Sequence, residues 1–150
     1  MFKYCLDRSF DELCSSIEAC GNDLNNPELK IEVSYRLGTC LHWLINSLER
    51  IVKNKICETH KPYISALRYA NNKLKHDVML IELYQRSGGF TFPIRFPLII
   101  PAITFRWLAL ENSNSKYQEQ FNNYKTFLQG KDIIETITEA KDIITKYIEE

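Results

Sequence analysis

The stretch RYANNKLKHDV, from Arg68 to Val78, decides how the fold of this chain is interpreted. Arg68, Asn72 and His76 recur at intervals of four, so an α-helix places them one above the other on a single face. These three residues are called the polar strip below. They align a permanent cation, an amide and a side chain that titrates near neutral pH. We therefore predict that the functional surface lies on this helix.

The pattern around the polar strip predicts a helix from about Pro62 to about Arg86, ended by Ser87–Gly89. At about 100° per residue the strip lies beside the core stripe, and Met79 and Leu83 continue its face toward the end of the helix. A face that begins polar and ends apolar, next to a core, indicates a groove or a subunit interface. The predicted core stripe consists of Leu67, Ala70, Asn71, Leu74, Val78 and Ile81.

Two helices are predicted before this one. Ser9–Glu12 has the spacing of a capping box, which predicts the start of the first. Asn26 followed by Pro27 predicts an N-cap with proline in the first turn of the second, which runs to about Lys55. Gly38 inside it lowers helix propensity and allows another helix to approach closely.

The residues after Gly89 have a strand pattern. Phe90–Phe96 and Ile103–Trp107 alternate with period two, which predicts a two-stranded hairpin around residues 90–108. Its aromatic face is expected to cover the core or a dimer contact, with base stacking as the alternative. The aromatic residues concerned are Phe90, Phe92, Phe96, Phe105 and Trp107.

Two final helices are predicted over Tyr117–Leu128 and Ile133–Tyr147, with Gly130 between them. The chain of 150 residues is therefore expected to be one helical domain over residues 1–150. Its predicted fold class is mainly α, a bundle of four to five helices with a β-hairpin insertion.

Composition limits the partners. Nineteen basic residues balance nineteen acidic ones, so no overall field favours nucleic acid or an anionic membrane. Lys73 and Lys75 flank the polar strip, however, and are candidate RNA-binding residues. Apolar runs are shorter than the roughly 18 residues of a membrane-spanning helix, and no signal peptide is recognisable. We expect a cytoplasmic protein with no membrane partner.

The five cysteines are an odd number without a C-x-x-C pair, so reduced thiols are expected. Cys57 and His60 have the spacing of two metal ligands, but no second pair follows them. We therefore predict no metal site and no cofactor.

A long helix, followed by a helix with arginine and asparagine upstream of histidine, resembles the HEPN superfamily. The ending Asn72-Lys73-Leu74-Lys75-His76 is similar to a variant of that family's motif. The resemblance implies a homodimer that forms its site where two such helices meet. It also implies a metal-independent endoribonuclease of a prokaryotic toxin or antiviral defence system, with RNA as substrate and an antitoxin as a candidate protein partner. Arg68, Asn72 and His76 would be its catalytic residues, with Asn71 as the alternative to Asn72.

The sequence departs from the family motif at two positions. Seven residues separate Arg68 from His76, one more than the motif has, and Tyr69 stands where a polar residue is usual. The alternative is therefore a non-catalytic HEPN-like protein that uses the same helix for interaction or dimerisation. Under that alternative, Arg68 would pair with a carboxylate such as Glu32 or Glu49.

Overall fold

The computed structural model describes residues 1–51, 55–85 and 103–149. Within these ranges the chain is mainly helical, with a small antiparallel two-stranded sheet. The elements are α1 (Phe2–Asn22), α2 (Pro27–Arg50), α3 (Lys61–Lys75), β1 (Ile81–Gln85), β2 (Ile103–Trp107), α4 (Gln118–Phe127) and α5 (Ile133–Glu149). None of the helices in the described ranges combines the length and the apolar character that crossing a membrane requires.

The predicted N-cap of α2 is confirmed. The Asn26 side chain accepts a hydrogen bond from the Glu28 backbone N–H at 3.0 Å, and Pro27 occupies the first turn. The helix ends at Arg50, five residues before the predicted end at Lys55. The capping residues at the start of this helix are therefore sufficient to predict where it begins, whereas its end was only approximately predictable.

The predicted start of α1 is wrong. Ser9 lies inside the helix, and its buried hydroxyl donates to the Leu6 carbonyl at 2.9 Å instead of capping a helix end. Leu6 is buried and extends the apolar stripe of α1 one turn further back. Glu12 binds Arg8 and Arg36, and the second of these ion pairs joins α1 to α2. The spacing of the capping box was therefore coincidental.

Helix α3 is shorter than predicted, since it ends at Lys75 and not near Arg86. Asp77 has φ of 58°, the left-handed conformation, and its N–H donates to the Leu74 carbonyl at 3.1 Å. The Val78 N–H donates to the Lys73 carbonyl at 3.1 Å. Together these bonds form a Schellman motif, which turns the chain out of the helix. Aspartate adopts the left-handed conformation more readily than most residues, so the helix can stop without a glycine.

The sheet contains one predicted strand and one unpredicted strand. Ile103–Trp107 forms β2, but its partner is Ile81–Gln85, with Ile81 opposite Trp107. Residues 81–85 were expected to be helical. The predicted strand Phe90–Phe96 lies outside the described residues. Burial alternates along β2, so that Ile103, Phe105 and Trp107 enter the core.

The last two helices close the core. Trp107 is fully buried, and its Nε1–H donates to Thr136 Oγ1 on α5 at 2.7 Å. Tyr124 on α4 packs edge-on against the Trp107 ring and donates its hydroxyl hydrogen to the Leu108 carbonyl at 2.7 Å. Gly130 separates α4 from α5 with φ of 75°, as expected for a glycine in a left-handed turn.

Candidate functional site

The polar strip lies on the outer surface at the C-terminal half of α3. Arg68 is half-buried, while Asn72 and His76 are exposed. Among the described residues, none of the three makes a side-chain hydrogen bond or an ion pair with a neighbour. Glu32, a predicted alternative partner of Arg68, binds Arg36 with its carboxylate at 2.6 Å. The three functional groups therefore remain free for an external ligand within this part of the chain.

His76 is the C-cap of α3 and not, as predicted, a residue in the middle of a longer helix. Its backbone has φ of −99° and ψ of 23°, and its N–H bonds back to the last turn. The carbonyls of Lys73 and Leu74 are occupied by the N–H groups of Val78 and Asp77. The backbone thus holds the position of His76, and the imidazole is left at the surface.

The two candidate RNA-binding lysines face in different directions. At about 100° per residue, Lys75 lies within about 20° of the Arg68 direction, and it is exposed. Lys73 lies about 140° away from Arg68. Its Nζ is 5.2 Å from the centre of the Tyr69 ring, which packs on Phe121 of α4. Lys75 therefore extends the polar strip, and Lys73 covers an aromatic contact between α3 and α4.

An exposed apolar patch lies beside the His76 end of the strip. Ile31, Tyr35 and Met79 are 64%, 61% and 55% exposed, respectively. The Ser34 hydroxyl approaches the Met79 sulfur at 3.6 Å, which places Met79 against the first half of α2. Ile31 and Tyr35 are one helical turn apart on α2, about 60° and 100° around the helix axis from Ser34, and the Arg36 guanidinium lies 5.3 Å from the centre of the Tyr35 ring. Ile31, Tyr35 and Met79 are called the apolar patch below.

The apolar patch corrects one prediction and adds residues that the sequence interpretation missed. Met79 was expected to continue the face of α3, but it follows the end of that helix, and Leu83 is half-buried in β1. Ile31 lies about 160° from Val33 of the α2 core stripe. An apolar residue this far from the core stripe is expected to be exposed, so the sequence did contain a signal for Ile31.

The polar strip lines none of the four cavities found among the described residues. The Cα atoms of Arg68 and His76 are about 12 Å apart along the helix axis, and helical side chains lean toward the N-terminus. Arg68 therefore leans away from His76. One copy presents a guanidinium and an imidazole on this surface, but it does not bring them to one point.

In the described ranges, no three His, Cys, Asp or Glu side chains are close enough together to hold a metal ion. The five cysteines are free thiols. Cys57 and His60, which have the spacing of two metal ligands, both contact Tyr147. Its Oη lies 2.9 Å from the Cys57 backbone nitrogen and 2.8 Å from His60 Nδ1. His60 therefore has a structural partner.

No protein-family model matches the chain, and neither a curated protein nor a solved structure is significantly similar to it.

Proposed function

We propose that this protein is a HEPN-like endoribonuclease of a prokaryotic toxin or antiviral defence system, that it needs no metal, and that it acts as a homodimer. The observation that carries the proposal is the polar strip itself. Arg68, Asn72 and His76 share one surface of α3 and its cap, without a partner among the described residues. A helix that served only packing would not need this set of exposed groups on one surface.

A second copy supplies what one copy lacks. If two α3 helices cross antiparallel about a two-fold axis at Asn72, Arg68 of each copy faces His76 of the other, because both residues are four positions from Asn72. Met79 is seven positions from Asn72, and an interface of about 800 Å² per partner, centred on Asn72, is wide enough to include it. The apolar patch then becomes part of the contact surface.

The chemistry follows from the types of side chain. Arg68 binds the phosphate through two parallel hydrogen bonds and stabilises the charge of the transition state. His76 accepts the proton of the ribose 2′-hydroxyl, and the 2′-oxygen attacks phosphorus. The bond to the 5′-oxygen breaks, and the proton passes to that oxygen. The products are a 2′,3′-cyclic phosphate and a 5′-hydroxyl end. Asn72 orients the phosphate, and Lys75 adds positive charge beside it.

The test is cleavage of single-stranded RNA by the purified protein with a chelator present. His76→Ala and Arg68→Ala are each expected to lower the rate by at least about 100-fold, the range of general acid–base and charge-stabilising groups. His42→Ala is the matched control, because His42 is an exposed histidine on α2 that pairs with Asn46 at 2.8 Å. It should retain full activity.

Mixing the two inactive variants tests the arrangement of the site. In a mixed dimer of Arg68→Ala and His76→Ala, one of the two shared sites has both native side chains. About one quarter of the wild-type activity should return, since about half of the dimers are mixed. No recovery would mean that each copy uses its own pair, and full activity of either variant alone would refute the proposed site.

The second candidate is a non-catalytic HEPN-like protein that dimerises or binds an antitoxin through the same surface. The apolar patch favours it, because Ile31, Tyr35 and Met79 are large apolar side chains that are exposed on or near the first half of α2, as in many binding surfaces. Under this candidate no RNA is cleaved, and Tyr35→Glu abolishes dimerisation in sedimentation equilibrium. Under the ribonuclease proposal the same substitution lowers dimerisation and cleavage together.

A further inference from the structure

A second site is formed at the opposite end of α3 from His76. A cavity of about 240 Å³ lies between the first turn of α1, the last turn of α2 and the end of α5. Phe2, Ile51 and Ile148 form its apolar walls, and Tyr147 lies among them. Tyr147 is also bound to His60, which immediately precedes α3, whereas His76 follows it. Arg68, the nearest residue of the polar strip, is eight positions after His60, about 12 Å along the helix axis, and no residue of the strip lines this cavity.

Ser47 is an unpartnered polar group in the lining of this cavity. The residue is 1% exposed, and its hydroxyl has no hydrogen-bond partner in the described part of the protein. Two other buried serines in helices, Ser9 and Ser16, donate to the carbonyl three residues earlier at 2.9 and 2.7 Å. Ser47 does not do so. A buried hydroxyl without a partner costs about 1–3 kcal/mol, which a ligand in the cavity would recover.

The charge at the cavity is positive. Arg50 and Lys55 line it, and neither is paired with a carboxylate among the described residues. The Arg50 guanidinium lies 3.8 Å from the centre of the Phe2 ring, which holds it at the edge of the cavity. No side chain caps the first turn of α1. Arg50 and Lys55 together offer two positive charges, which suit a dianion better than a monoanion.

We propose that this cavity binds a small phosphomonoester that has an apolar body. The dianionic phosphate lies between Arg50 and Lys55, and the body fills the space between Phe2, Ile51 and Ile148. The Ser47 hydroxyl, which has almost no exposed surface in the ligand-free protein, rotates about χ1 into the cavity and donates to an oxygen of the ligand. This site does not depend on the polar strip, so its test is independent of ribonuclease activity.

The experiment is calorimetric titration of the whole chain with phenyl phosphate at pH 7.5 and low salt, where the phosphate is doubly charged. Benzoate and inorganic phosphate are the comparison ligands, since one lacks the second charge and the other lacks the apolar body. Phenyl phosphate should bind at least about tenfold more tightly than either. Equal binding of benzoate, equal binding of inorganic phosphate, or no binding of phenyl phosphate at millimolar concentration overturns the proposal.

Variants locate the binding. Arg50→Gln should weaken phenyl phosphate binding by about 10-fold or more, and Ser47→Ala by about 3- to 10-fold. Lys61→Gln is the control, because Lys61 is paired with Glu58 outside the cavity, and it should bind normally. Ser47→Ala should also raise the melting temperature of the unliganded protein, because it removes a buried hydroxyl that has no hydrogen-bond partner. Unchanged affinity in Arg50→Gln, which alters only an exposed side chain, would refute the site.

Discussion

Replacing Asp77 by glycine should stabilise this protein. Asp77 occupies the first position after the cap of α3 with φ of 58°, where a side chain is strained and glycine is not. Its carboxylate also stands at the C-terminal end of a helix, where the helix dipole disfavours negative charge. Both contributions disappear in Asp77→Gly, while the hydrogen bonds from the backbone of residues 77 and 78 are retained.

The magnitude follows from three effects. The left-handed conformation costs a residue with a side chain about 1–2 kcal/mol, and less for aspartate, which adopts it more readily. Removing the charge from the helix end adds about 0.3–1 kcal/mol. The greater entropy of glycine in the unfolded chain takes back about 0.5–1 kcal/mol. The net gain is about 1 kcal/mol, or about 2–4 °C in the melting temperature of a domain of this size.

Urea unfolding of three variants separates these effects. Asp77→Asn removes the charge and keeps the favourable side chain, so it should gain about half as much as Asp77→Gly. Gly130→Ala is the matched converse, because Gly130 has φ of 75° and a Cβ there would meet nothing within 4 Å. It should lose about 1 kcal/mol from backbone strain alone. If Asp77→Gly were destabilising while Gly130→Ala behaved as expected, α3 would not end in the conformation described here.

Three further experiments test the packing and the surface. A methyl group on Gly38 would lie 3.1 Å from Leu74 Cδ2, so Gly38→Ala should be about 1 kcal/mol more favourable in a Leu74→Ala background, measured by a double-mutant cycle in urea. Thr136→Val leaves the buried Trp107 N–H without an acceptor and should lower the free energy of unfolding by about 1–3 kcal/mol, followed by tryptophan fluorescence. A hydrogen bond from a neighbouring hydroxyl lowers the pKa of the exposed Cys57 thiol, so iodoacetamide should modify Cys57 before the buried cysteines, as mass spectrometry can detect.

The sequence predicted the elements whose signals are local. Asn26 and Pro27 fixed the start of α2, and Gly130 marked the break between α4 and α5. The end of α3 had no such signal, because an aspartate and not a glycine adopts the left-handed conformation there. The alternation in Ile81–Gln85 was present, with Ile81 buried and Glu82 exposed. The helical period of the preceding residues also extends through this segment, so the sequence pattern alone favours a helix there.

The candidate site was predictable only in part, for reasons of tertiary structure. Helical spacing placed Arg68 and Asn72 on one surface, and this depends only on the backbone. The direction of Lys73 depends on the position of α4, whose Phe121 packs on Tyr69. The exposure of Met79 depends on the chain turning back over α2 after Asp77. Contacts between distant segments decide both, and no local pattern encodes them.

The extra residue between Arg68 and His76 has a geometric consequence that can be tested. The motif of the proposed family would place its histidine at position 75 at the latest, where Lys75 lies within about 20° of Arg68 around the helix. His76 is rotated by about 80° instead.

In the double variant Lys75→His, His76→Lys, the histidine returns to the Arg68 direction and the total charge is unchanged. If Arg68 and the histidine act on one phosphate, this variant should cleave RNA at least as fast as the wild type. An exchange that abolishes cleavage as completely as His76→Ala would instead mean that the cap of α3 is what positions the histidine. The catalytic geometry would then belong to the end of the helix and not to its face.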